Sequence, residues 1–219
     1  MSSAIAVQAG TSPAFSPMRR DAWLLIATFF LWVMTFLSLA PLLGSGGPPQ
    51  IPQTAAEAVQ QIDGHRAGNI IVNIIGNVAF MVGVLPLINI GRQNRTSQSK
   101  RLATLSVIAA VAALVVLVFH SYLRGSLSLA YPPNYLPMAD RVELYANNTL
   151  SNIAMIVWTG AIALTGVSLA RQNVLKRTGW VVAVLGVILA LLMTVAGFGI
   201  PFVPALLSTA LGVGLLLRK

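Results

Sequence analysis

The sequence predicts an all-α membrane protein, a polytopic transmembrane helical bundle of six spans with its N- and C-termini cytoplasmic. Three observations carry this. The 219 residues are 56% apolar and only 9% charged, with mean hydropathy +0.80, whereas a soluble domain carries about 25% charge. Six stretches are apolar and free of Asp, Glu, Lys and Arg over the length that a bilayer demands. The basic residues fall on alternate connections between them.

A helix crossing about 30 Å of hydrocarbon needs about 20 mostly apolar residues and must satisfy its backbone hydrogen bonds internally. The stretches that meet this are 22–43, 69–90, 102–122, 150–170, 179–197 and 201–217. The last is the shortest and needs a thin bilayer, little tilt or a close neighbour. Residues 1–20 are rich in Ser, Ala and Pro and read as a disordered cytoplasmic N-terminus, with 21–219 forming the transmembrane domain. Span one follows a long polar lead and is longer than a signal-peptide core, so it reads as retained, although Ser38-Leu39-Ala40 offers a small-x-small cleavage site.

Short loops rich in Lys and Arg stay in the cytoplasm. Arg19, Arg20, Arg92, Arg95, Lys100, Arg101, Arg171, Lys176, Arg177, Arg218 and Lys219 are eleven of the fourteen basic residues, and all lie on one set of alternate connections. The opposite connections hold Arg66, Arg124 and Arg141 against Glu57, Asp63, Asp140 and Glu143. The chain is therefore expected to cross its membrane several times with both ends cytoplasmic. The net charge of +9 is dispersed at helix ends, where it anchors topology and meets anionic headgroups, and no nucleic-acid partner is expected.

Outer loops span 44–68 and 123–149. Gly and Pro prevent a helix over 44–53. Thr54 and Glu57 then form a capping box opening an interfacial amphipathic helix over 55–66. Tyr131 to Pro137 is extended and aromatic, and Asp140 to Tyr145 starts a helix that runs toward span four. The two outer loops are expected to cover one another. Gly197-Phe198-Gly199-Ile200-Pro201 makes a tight hairpin.

Span two places Asn69, Asn73 and Asn77 at steps of four, hence on one face, and span four offers Asn148, Asn152 and Thr159. Amides are costly in hydrocarbon, so both rows face the bundle interior, either as interhelical packing bonds or as a polar site for a solute or ion. His120 and Arg124 close span three one turn apart. With Glu143 and His65 they form an outer-end cluster, read first as a tied corner and second as two histidines able to ligate haem. No metal site and no cofactor is predicted beyond that haem alternative. The chain has no cysteine, so disulfides and thiolate chemistry are excluded. No lysine within a span offers a Schiff base, no acid within a span offers a proton relay, and no nucleotide or hydrolase motif appears. Spans five and six carry small-residue stripes, Gly179, Ala183, Gly186 and Ala190, and Ala205, Ser208 and Gly212, suited to close helix packing. Trp23 and Trp180 mark interfaces, while Trp32 and Trp158 lie deep.

This layout, with its first span, its outer amphipathic segment ending in His65-Arg66 and its long second span, resembles an uncharacterised prokaryotic family of six-span integral membrane proteins. The resemblance implies a small standalone inner-membrane protein and supplies no catalytic residue. The reading expected first is an accessory or interaction subunit of a membrane assembly, partnered by the lipid bilayer and by another membrane protein or a second copy of itself. The alternatives are a small permease or channel for a polar solute or ion, and a haem-binding or other membrane enzyme component.

Overall fold

The computed structural model describes residues 17–42, 66–93, 100–130, 138–197 and 199–218, with the backbone alone at 17, 38–42, 66–69, 72, 123–130 and 138–148. Six helices account for nearly all of it: α1 Pro17–Leu42, α2 Arg66–Gln93, α3 Lys100–Ala130, α4 Met138–Arg171, α5 Lys176–Ala196 and α6 Phe202–Leu216. The interfacial helix expected at 55–66 and the extended segment 131–137 lie outside the described residues.

α1 to α5 each hold a window long and apolar enough to cross a membrane, and α6 is apolar but only 15 residues long. At 1.5 Å per residue α6 reaches about 22 Å, short of the ~30 Å hydrocarbon core. Of the six expected spans, five are thus clear by length and the sixth is a shorter apolar helix. One further difference lengthens a helix at the far end: α3 continues to Ala130, beyond the expected end at 122, while α4 starts at Met138 and carries the helical start expected at 140–145 straight into the fourth span. Apolar and helix-favouring residues such as Leu123, Leu127 and Leu129 continue the helix where hydropathy alone marks a loop.

The helices form a closed ring in chain order, α6 returning to pack on α1, with α4 also touching α2 and α6. α4 is accordingly the most enclosed helix, two-thirds of its apolar window being buried. Each helix turns one periodic stripe inward. On α1 this stripe is Asp21, Leu25, Thr28, Trp32 and Thr35, at alternating steps of four and three. On α3 it is Ala103, Ser106, Ala110, Ala113 and Leu117. Small residues set the closest approaches. A Cβ on Gly179 would stand 2.6 Å from the Gly166 carbonyl oxygen, one on Gly186 would stand 2.9 Å from Ala163 Cβ, and one on Gly212 would stand 2.6 Å from the Ala22 carbonyl oxygen. The stripes expected on the last two helices therefore serve the α4–α5 and α1–α6 contacts.

Successive helices alternate in direction, which collects Arg19, Arg20, Arg92, Lys100, Arg101, Arg171, Lys176, Arg177 and Arg218, all exposed, at the end where α1 begins and α6 finishes. We call this the basic end, and the opposite one the distal end. At the basic end α4 turns into α5 through Asn173, which takes the left-handed conformation with φ 57° while the amides of Asn173 and Val174 bond back to Ala170 and Leu169.

Candidate functional site

At the distal end the ring leaves space at its centre. A cavity of about 180 Å³ lies between α1, α2, α3 and α4, with Pro201 of the α5–α6 hairpin completing its wall. Its polar lining is Asn73 and Asn77 from α2, His120 from α3, Ser151 from α4 and Thr35 from α1; Trp32, Phe36 and Phe80 supply its aromatic sides. Gly76 leaves room for it. A Cβ there would meet only Thr35 and Trp32 side chains at 3.9 Å, an ordinary contact.

The hydrogen bonds already made define what the cavity offers. Ser121 Oγ donates to Asn77 Oδ1 at 2.9 Å, so the Asn77 NH2 is the group left for a ligand. Thr35 donates to the Leu31 carbonyl at 2.8 Å, leaving an oxygen lone pair. Asn73 adds an amide and Ser151 a hydroxyl, and His120 stands beside them in the lining. The indole nitrogen of Trp32 is buried without a partner. No charged side chain lines the cavity among the described residues.

Below the cavity the bundle is solid. Phe80 and Trp158 are both fully buried, their rings 4.7 Å apart at 48°. Gly83 permits this, because a Cβ there would come within 2.3 Å of the Trp158 ring and 2.9 Å of Thr28. Val84, Leu87, Ile90, Ile162 and Leu169 continue the apolar core toward the basic end. The distal cavity is therefore a blind recess in this state.

Asn152 and Thr159 do not line the recess. The Asn152 amide clamps the α5–α6 hairpin, donating to the Gly197 carbonyl at 2.8 Å and accepting from the Gly199 amide at 2.9 Å. Gly197 takes φ 70°, the left-handed conformation that ends α5. Asn152 thus positions the wall that carries Pro201. Thr159 is fully buried and donates to the Met155 carbonyl of its own helix at 2.8 Å. Of the remaining residues picked from the sequence, Asn69, Arg124, Asn148 and Glu143 lie on described helices with side chains outside the described residues. His65 lies outside altogether.

Asp21 is the residue that sequence reasoning missed. It falls inside an apolar window running from Met18 to Leu37, so the expectation that no span holds an acid is corrected. Asp21 is fully buried; Asn89 Nδ2 donates to its Oδ1 at 3.2 Å, and Oδ2 has no partner. The signal was present in the spacing, since Asp21 shares the inward stripe of Thr28 and Thr35. Its adjacency to Arg19 and Arg20 hid it among the charges that end a span.

No protein-family model, curated protein or solved structure matches the chain, and the family resemblance read from its layout finds no counterpart among them. Composition, helix length and buried stripes together establish the broader class, a polytopic all-α membrane protein.

Proposed function

We propose that the protein binds a small uncharged polar molecule in the distal recess, as the recognition step of a permease-type role. The observation that carries this is the convergence of Asn73, Asn77, His120 and Ser151, from three helices, on one cavity walled by aromatic rings. Neutral donors and acceptors favour a neutral ligand, because a charge brought here finds no counter-charge among the described residues to offset its desolvation. At about 180 Å³ the recess is smaller than the ~300–1,000 Å³ typical of drug-sized ligands, which favours a compact solute. The broad apolar faces of α3 and α5 are what lipid requires and single out no protein partner. The excess of exposed cations at the other end argues that the recess faces outward, with both chain ends cytoplasmic.

The absence of cysteine makes the test direct. Single cysteines at Asn73 and Ser151 should react with a membrane-impermeant maleimide applied to the outer face of intact cells, whereas one at Ala161, below the Phe80–Trp158 floor, should not. Adding Gly76→Leu should suppress labelling at Asn73. Unreactive N73C and S151C, or equal reactivity at A161C, would remove the recess as a one-sided outward site.

A further inference from the structure

A second cavity, of about 530 Å³, opens at the basic end between α5 and α6. Its existence follows from how α6 is shared. The small face of α6 is spent on α1, through Gly212 against Ala22, so α6 meets α5 sparsely, with Gly214 against Thr178 as the tight point. The groove left beside that contact is lined by Leu175, Ala210, Val213 and Leu217, with Thr178 and Arg218 as its polar members. Ala210, Val213 and Leu217 are exposed.

Charge distinguishes this groove from an ordinary lipid-facing seam. Arg218 stands in its lining, and Lys176 and Arg177 are exposed in the α5 turn that carries Thr178. Among the described residues the only acid at this end is Asp21, which is buried and bonded to Asn89 between α1 and α2. Among the described residues the cations at the groove therefore have no carboxylate to neutralise them. An apolar furrow at acyl-chain depth, topped by uncompensated cations at headgroup depth, has the polarity profile of an anionic lipid.

We propose that the α5–α6 groove holds one phospholipid with an anionic headgroup, an acyl chain lying along Ala210 and Val213 and the phosphate at Arg218 beside Lys176 and Arg177. The lipid fills space that neither helix covers and supplies the missing negative charge.

The test is native mass spectrometry of the full chain released from micelles containing equal amounts of phosphatidylglycerol and phosphatidylcholine. One phosphatidylglycerol should be retained with a preference of roughly thirtyfold or more, the order expected for two or three cations at a lipid surface. Arg218→Gln with Lys176→Gln should bring that preference close to unity, while Arg92→Gln, on the α2 side of the bundle, should leave it intact. Val213→Trp fills the groove and should lower retention of both lipids. Equal retention of the two lipids by the unmodified chain would overturn the proposal, as would an unchanged preference in the Arg218/Lys176 variant. Full phosphatidylglycerol retention by V213W, or its displacement by glycerol phosphate alone, would mean a bare anion site and would equally overturn it.

Discussion

A carboxylate withdrawn from solvent loses its hydration, and each hydrogen bond it then makes carries more consequence than one at the surface. Asp21 has a single such bond, from Asn89, and a second oxygen with none. Removing the donor by Asn89→Leu leaves the acid buried alone and should lower stability by about 1–3 kcal/mol. Asp21→Asn removes the charge while keeping an amide beside Asn89, and should leave stability unchanged or raised. Unfolding of the purified variants in a graded SDS series would rank them; a D21N loss larger than that of N89L would contradict the account. The hydroxyls behave differently. Thr28, Thr35, Thr159 and Thr165 each donate to the carbonyl four residues earlier, so they sit at membrane depth without needing a neighbour. Part of the recess was legible from residues alone: Asn73 and Asn77, four apart, point inward as their spacing requires. Asn152 was placed on an inward face, yet its task as a hairpin clamp depends on the Gly197 carbonyl and Gly199 amide, groups that every residue carries and no side-chain pattern reveals.

At the scale of helices, glycine identity reports which faces touch. Gly160 has open space around its missing Cβ, whereas Gly179 abuts the Gly166 carbonyl and the Ala170 backbone. Gly160→Ala should therefore be neutral or slightly stabilising, by up to about 1 kcal/mol from helix propensity. Gly179→Ala pushes α5 from α4 and should cost about 1–3 kcal/mol. Gly83→Ala, which would strike the Trp158 ring, belongs with the second class. Thermal inactivation of the three variants in one detergent checks this, and a G179A protein as stable as G160A would mean that α4 and α5 are not in contact there. Helix number and the inward stripes could be read from the sequence because hydropathy and the 3.6-residue period are local properties. Partner choice could not. That α6 spends its small face on α1 rather than on its hairpin neighbour α5 is decided by Gly212 meeting Ala22, residues 190 positions apart in the chain.

For the molecule as a whole, the ring gives two unlike ends: a basic one bearing nine exposed cations and a distal one holding the uncharged recess. Tags fused before α1 and after α6 should be protected together from protease added outside intact cells, in keeping with cation-rich loops retained inside. Protection of one tag with digestion of the other would mean an odd number of crossings and would send α6, the short helix, out of the count. The chain's hydropathy made the membrane class plain. The shortness of α6 was legible too, since the apolar run 201–217 brackets the helix Phe202–Leu216 to within one residue at each end.

The seam between α1 and α6, knit by Gly212 on Ala22 and by Phe36 stacked on Phe202 at 4.5 Å, has a consequence for biogenesis. α1 is synthesised well before α6, so through most of synthesis the nascent α1 waits in the lipid with one flank bare. A nascent chain cut short after α5 should then be cleared by quality-control proteases much faster than the finished one.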